Sequence, residues 1–458
     1  MYRFSPILFL FLITFFSCKE TKSVDKKSFT LITLDPGHFH AALVQKSMLP
    51  GVDSTVYVYS PGGNDLEMHL QRIKNYNHRT DDPTHWNEVV YQGEDYLDKM
   101  IRERKGNIVI LSGNNKIKAD YIFKSLDAGL HVFSDKPMII QYRDFEKLKA
   151  AFDIARQKNI LLYDIMTERY EMATVMQKVF STNQDLFGTL IDGTPDDPAI
   201  SIESIHHFYK YVSGNVLVRP QWFMDVDQQG EGLVDVMTHL VDLVQWECFP
   251  EQIIDTSEIK LNTSKRWPTD MSLNQFNTIT GANGFPAFLK KNVVKDSILQ
   301  VYANGAIDYK IKNKHARIVS LWNYQAPEGG GDSHYCIMKG TKSNLIIKQG
   351  AEENYKPTLY VQPIKEVSMD SIKTAVAAQI KLLEKDMPGL SIQPTGDKIK
   401  LVIPVSLQEG HEAHFAQVMK KFLSYLEHHT MPAWEVPNTI AKYYTTTKAL
   451  EIAKHDSH

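Results

Sequence analysis

Asp235, His239 and Asp242 fall at i, i+4 and i+7 within the segment Gly230–Asp242. In a helix this spacing puts all three on one face, while Val236, Leu240, Val241, Leu243 and Val244 supply apolar area elsewhere. A histidine titrates near neutrality and suits proton transfer, and a carboxylate can orient it or tune its pKa. The plainer alternative is a histidine satisfied by its own helix neighbours. A second cluster is Asp135-Lys136-Pro137, directly after the strand-like His131–Ser134. A lysine fixed at a strand end in a cleft could position a substrate hydroxyl, and its point charge would stabilise a developing alkoxide. The proline would rigidify the turn. An isolated lysine after a strand is more ordinarily a solvated surface group.

A third stretch, Asp35-Pro36-Gly37-His38-Phe39-His40-Ala41, stands where a dinucleotide fold carries G-x-G-x-x-G so that the backbone can approach a pyrophosphate. Only Gly37 matches, at the second glycine, and His40 stands at the third. By itself the stretch also fits a plain strand–turn–helix connection. His206 ends a strand-like run and could line a pocket. His38-x-His40, His411/His414 and His428-His429 invite a metal reading, but none forms a closed ligand set with sensible spacing, so no metal is expected.

Short strand-like runs alternate with helical segments in the first half: Phe29–Leu34, Thr55–Tyr59, Asn107–Leu111, His131–Ser134 and Ile160–Tyr163, with helices expected at Phe39–Met48, Glu94–Glu103, Ala119–Ala128 and Phe145–Lys158. Such alternation indicates right-handed βαβ units and a parallel sheet, whose ligands bind at the carboxyl ends of the strands. Leu66–Trp86 is an insertion rich in His and Asn, without a readable pattern. Past about residue 170 the pattern becomes α+β. A strong helical segment spans Gly232–Trp246, and strand-like runs include Asn277–Ile279, Ser297–Ala303 and Ala306–Ile311, with Asn304-Gly305 reading as a hairpin turn. Ser368–Leu383, Gly410–His428 and Pro437–Ala453 read as helices. The expected fold is α/β: an N-terminal Rossmann-like parallel sheet (29–165), then a substrate-binding α+β domain with a mainly antiparallel sheet (166–458).

Composition sets the outer bounds. Of 458 residues, 43% are hydrophobic and 23% charged, with Lys+Arg 51 against Asp+Glu 54 and a net charge of −3. That is ordinary globular usage and excludes a disordered chain, a fibre or a polytopic membrane protein. The near-neutral balance gives no footprint for nucleic acid. Residues 1–17 read as an export signal: Arg3 supplies positive charge and Ile7–Phe16 an apolar run too short to span a bilayer. Ser17-Cys18 then resembles a bacterial lipobox, making Cys18 a lipid anchor followed by a polar tether over 18–28. The expected location is therefore exported and lipid-anchored to a bacterial membrane, facing the periplasm or the cell surface. Cys248 and Cys336 could pair or be two buried thiols.

Taken together, the parallel half, the tripeptide Asp135-Lys136-Pro137 and the Gly-rich lead into Asp235-x-x-x-His239 resemble the glucose–fructose oxidoreductase / inositol dehydrogenase / MocA (Gfo/Idh/MocA) family, and within it an exported, lipoprotein-like branch. The usual tripeptide there is Glu-Lys-Pro. The resemblance covers roughly residues 29–250. It implies NAD or NADP at the strand ends and redox chemistry at a CH–OH group of a sugar or sugar derivative. It implies Lys136 contacting nicotinamide and substrate, His239 as general acid/base and Asp235 as the carboxylate that binds substrate and tunes the site. Gly37, His38 and Phe39 fall in the pyrophosphate turn, Asn114 in the cofactor loop after Asn107–Leu111, and Asp135 and Pro137 flank the motif lysine. Ser60 sits where NAD-preferring members carry an acid, which leaves NAD against NADP open. His206, Arg219 and Trp222 are substrate-cleft candidates. The implied partner is a small carbohydrate, with possible self-association through the C-terminal sheet. Two other readings stand beside the oxidoreductase. One is a redox-assisted glycoside hydrolase or lyase holding NAD tightly. The other is a non-catalytic carbohydrate-binding descendant.

Overall fold

The structure is a computed structural model that describes residues 29–212 and 215–456. The signal-like segment, Cys18 and the tether lie outside them. The first half builds six parallel strands: β1 (Leu31–Leu34), β2 (Thr55–Ser60), β3 (Asn87–Gln92), β4 (Ile108–Leu111), β5 (His131–Asp135) and β6 (Leu162–Ile165). Their order is β3-β2-β1-β4-β5-β6, which is doubly wound with its crossover between β1 and β4. β1 and β4 are buried along their whole length. That is why they read as unbroken apolar runs rather than alternating ones.

β3 is an edge strand that apolar pattern does not reveal. Val89 and Val90 are each 41% exposed, so neither faces a core. Its presence makes Asp135-Lys136-Pro137 the end of the fifth strand rather than the fourth. The stretch beginning at Leu66 is mostly helix, Asn64–His78, entered at Gly63 with φ 88°. The helix after β1 is a single turn, His40–Leu43, and not the ten residues expected.

The second half forms a larger sheet around a central strand, β7 (Ile200–Tyr209). β7 pairs in parallel with Lys314–Gln325 and antiparallel with Ser333–Lys339, and the other neighbours in this sheet are antiparallel. Two expectations fail here for local reasons. Asn277–Ile279 lies inside a helix, Leu273–Thr280, because Ser272 and Gln275 form a reciprocal capping box and Gly281 closes the end at φ 70°. Asn304-Gly305 is no hairpin but the middle of a 14-residue strand, Ile298–Ile311. Gly305 is needed because a Cβ there would stand 2.6 Å from Leu233. Asn304 spans an irregularity in the neighbouring strand, donating to Trp267 O and Thr269 Oγ1 and accepting from Trp322 N.

The strands divide near residue 165, but the helices do not. The helix His411–His428 returns to the parallel sheet and buries Phe415, Met419 and Phe422 against Leu31, Ile110 and Phe133. Phe422 stacks on Phe133 with ring centroids 5.1 Å apart, and a buried side chain of this size contributes roughly 1.5–3 kcal/mol. The last helix, Glu435–His455, joins the two halves. Its Tyr443 packs under the parallel sheet, while Ala449, Leu450 and Ala453 pack in the core of the second. Tyr443 accepts from Met138 N at 2.9 Å and donates to Asp164 at 2.8 Å, fixing the segment just after Pro137. Cys248 and Cys336 are free thiols. Among the described residues no helix is long and apolar enough to cross a membrane.

Candidate active site

The carboxyl end of β5 and the turn leading into the helix Met237–Cys248 meet in the wall of a cavity of about 730 Å³. Asp235 precedes that helix rather than lying within it, yet His239 still follows one turn later. Lys136 Nζ donates to Asp235 Oδ1 at 2.6 Å, both side chains being about one-tenth exposed. Burial alone would raise the Asp235 carboxyl, but the charge and hydrogen bond of Lys136 outweigh it and hold the group below the usual carboxylate range. His239 lines the same cavity, and its Nδ1 is buried with no hydrogen-bond partner among the described residues. Burial first, and then the neighbouring Lys136 charge, push its pKa down to about 4. The imidazole is therefore neutral across the physiological range, as a proton acceptor must be. A histidine quenched by its helix neighbours is not what the fold builds.

Asp242, the third member of the sequence stripe, belongs elsewhere. Arg169 grips it with a fork of two hydrogen bonds of 2.6 and 2.7 Å, Lys442 adds a third at 2.9 Å, and Arg169 also holds Glu435. Burial would raise this carboxyl, but the two cations keep it far below its ordinary value. The group is structural glue between the helix Met237–Cys248 and the last helix.

β1 and β5 bring a second cluster to the cavity. Asp135 Oδ2 accepts from Ser112 Oγ at 2.9 Å and from His40 Nδ1 at 3.0 Å, with His38 Nδ1 at 3.6 Å. The buried Lys118 donates to the Asp135 carbonyl at 2.9 Å. The Lys136–Pro137 peptide bond is cis.

The opposite wall comes from the second sheet. His206 stacks on Trp322 at 5.2 Å and meets Ser204 Oγ and Asp332. Arg219 is buried over Phe223 and Trp322 and donates to the carbonyls of Phe208 and His207. Sequence reasoning missed Trp322, Asp332, His334, Glu168 and Glu171, which also line the cavity. Two signals were available. Glu168 and Glu171 follow the carboxyl end of β6, where a doubly wound sheet binds ligands, and Asp332 ends the glycine run 329–331. Burial, and then Glu168 beside it, raise the Glu171 carboxyl to about 7.

The residues expected around a dinucleotide divide into two groups. His38, Phe39, Asp135 and Lys136 line the cavity, with Gly113 and Asn115 beside them, and fit the nicotinamide end. The pyrophosphate end does not fit in this arrangement. The N–H groups of Gly37 and His38 both donate to Ser112 O at 3.1 Å, so neither points at a phosphate. A Cβ on Gly37 would stand 3.1 Å from Asp65 Oδ2 and 3.1 Å from the Trp222 ring, and the Trp222 indole donates to Asp65 at 2.7 Å. Trp222 thus covers the turn rather than lining the cavity. Ser60 is 1% exposed, its Oγ accepting from Gly62 N. Asn114 caps the helix that follows it and reaches Gln228.

A doubly wound nucleotide-type domain, facing an antiparallel-sheet domain across a Lys–Asp–His cleft, is the build of a two-domain oxidoreductase. Residues 176–454 match the family described as "Putative oxidoreductase C terminal domain" and residues 55–163 match "Oxidoreductase family, NAD-binding Rossmann fold". The chain belongs to the Gfo/Idh/MocA-type oxidoreductases and carries their NAD-binding Rossmann domain. A crystal structure of a "putative oxidoreductase" from Parabacteroides merdae is 50% identical, superposes with a TM-score of 0.91, and covers 94% of this chain and 98% of its own. Levoglucosan dehydrogenase, in complex with NADH and levoglucosan, shares the fold at 11% identity and TM-score 0.58, over 93% of this chain and 97% of that one. An uncharacterised oxidoreductase of Schizosaccharomyces pombe is 26% identical over 148 residues, and the match spans 32% of this chain and 35% of that protein.

Proposed function

We propose that the chain is an NAD(P)-dependent oxidoreductase acting on a CH–OH group of a sugar or sugar derivative. The observation that carries this reading is His239, whose buried Nδ1 has no hydrogen-bond partner among the described residues, in one cavity with the Lys136–Asp235 pair. A bound nicotinamide would supply the hydride acceptor, and His38, Phe39, Gly113, Asn115 and Lys136 line the cavity where that ring would be held. His239 takes the proton of the sugar hydroxyl during oxidation and returns it during reduction. The Lys136 ammonium, fixed by Asp235, stabilises negative charge developing on the same oxygen. His206, Arg219 and Trp322 form the wall against which a sugar face can stack and hydrogen bond. The sharing of this fold with levoglucosan dehydrogenase supports the sugar class. The test is absorbance of reduced nicotinamide on incubation with NAD⁺ or NADP⁺ and a sugar panel. Turnover by wild type and its loss in His239→Asn with cofactor still bound are expected, and full turnover by the variant would refute the role.

One observation favours redox-assisted glycoside cleavage as a second reading. Glu171 lines the same cavity with a pKa of about 7, so a fraction stays protonated at neutrality and can give a proton to a departing glycosidic oxygen. That reading predicts bond cleavage without net reduced nicotinamide, and loss of cleavage in Glu171→Gln. Lipid anchoring through Cys18 rests on residues 1–18. Fatty-acid labelling of wild type but not of Cys18→Ser tests it.

A further inference from the structure

The turn after β1 departs from a dinucleotide fingerprint by carrying His38 and His40, and the β5 end carries Asp135 before the motif lysine. The fold gathers these three at one point on the cavity wall. One ligand atom from each of the three lies within 4.8 Å of the others, and His38 Nδ1 and His40 Nδ1 stand 3.6 and 3.0 Å from Asp135 Oδ2. Metal–ligand bonds of about 2.0–2.2 Å around a tetrahedral ion put ligand atoms roughly 3.3 Å apart. The two nitrogen–oxygen separations bracket that distance. An Asp–His pair serving structure alone would need only His40. It leaves His38 Nδ1, which is buried and has no hydrogen-bond partner, without a purpose.

The surroundings hold the three groups in place. Ser112 O fixes the turn through the N–H groups of Gly37 and His38, Ser112 Oγ orients the carboxylate, and Lys118 holds its carbonyl. The His40 ring is packed between Phe39 and Phe415 at 4.4 and 4.6 Å. Outer contacts of this kind orient the ligands in built metal sites. Three protein ligands with the remaining position facing a cavity is the arrangement of catalytic rather than structural zinc.

We propose that His38, His40 and Asp135 bind one divalent first-row transition metal ion of the zinc type, with an open position toward the sugar cavity. The ion takes the place of the hydrogen bond between His40 and Asp135. Its open position takes an oxygen of the ligand in the cavity, on the same wall as Lys136. His38 and Asp135 also line the end of the cavity where the nicotinamide ring would be held, so the ion shares that end with the ring, and its binding is measured on chain free of cofactor.

The full chain, purified without a polyhistidine tag and stripped with chelator, is titrated with Co²⁺ alone and then with Zn²⁺. One equivalent of Co²⁺ should bind with visible ligand-field absorption, be displaced by Zn²⁺, and raise the melting temperature. His38→Gln and His40→Ala should each abolish the one-equivalent absorption, while His411→Ala with His414→Ala should keep it. His38 Nδ1 has no hydrogen-bond partner among the described residues, so His38→Gln remains decisive if His40→Ala fails to fold. Failure of wild type to bind an equivalent, or binding that survives His38→Gln and is lost in the His411/His414 double variant, overturns the proposal.

Discussion

Lys136 and Asp235 stand 2.6 Å apart although 99 positions separate them, one on the strand end of the nucleotide-type domain and the other at the head of a helix in the second. The ion pair ties the two halves at the point where the proposed chemistry would take place. Removing one partner of a buried pair leaves the other charge uncompensated, which typically costs about 3–5 kcal/mol. Lys136→Met should therefore lower unfolding stability by roughly 3 kcal/mol in urea titration and also abolish turnover. A variant that stays as stable as wild type would show that the pair is not a linchpin.

Asp242 and His239 lie three residues apart on one helix and should separate by phenotype. Asp242→Asn weakens the Arg169 and Lys442 network and should lower the melting temperature with cofactor affinity unchanged once folded. His239→Asn should leave the melting temperature near wild type and remove turnover. The two phenotypes exchanged would mean that the roles are reversed.

His239, His334 and His414 each sit at about 4, below their ordinary value, first through burial. A depressed histidine binds fewer protons folded than unfolded. The stability it permits is complete above about 6.5 and is lost as pH falls toward 4. Glu171 has the opposite sign: raised to about 7, it binds more protons folded, so its contribution is lost as pH rises from about 4.5 through 7. Melting temperature should accordingly pass through a maximum, and Glu171→Gln should raise it at pH 8 while changing little at pH 4.5. Equal shifts at both pH values would contradict the assignment. Since Lys136 lowers the His239 pKa, Lys136→Met should move the His239 titration upward, read by NMR.

Much of this site was legible because its chemistry is local to strand ends and one helical turn. Lys136, Asp235 and His239 lie at such places. What stayed hidden depends on distant segments. Whether His239 pairs with Asp242 cannot be read from spacing when Arg169 and Lys442, from elsewhere in the chain, claim the carboxylate. The strand β3 and the continuous strand through Asn304-Gly305 were masked for the same reason. Val89 and Val90 both stay exposed, so no alternating apolar pattern marks the strand, and Gly305 answers to Leu233 rather than to a turn. Trp222, read as a cleft residue, instead covers Gly37.

That cover gives a cofactor prediction. Asp65 places a carboxylate, held by Trp222, where a pyrophosphate must pass over Gly37. Asp65→Asn should tighten NADH binding about fivefold, equivalent to about 1 kcal/mol, and more so at low salt. Unchanged affinity in fluorescence titration would mean that the segment around Trp222 swings clear without help.

In the proposed reaction His239 transfers a proton while hydride is exchanged at a sugar carbon. This coupling is tested most directly by incubating the NAD⁺-loaded chain with carbon-deuterated sugars and measuring deuterium on the recovered nicotinamide by mass spectrometry. Label should appear with wild type and vanish with His239→Asn, at equal cofactor occupancy. Undiminished label in the variant, or none from any sugar with wild type, would contradict the account.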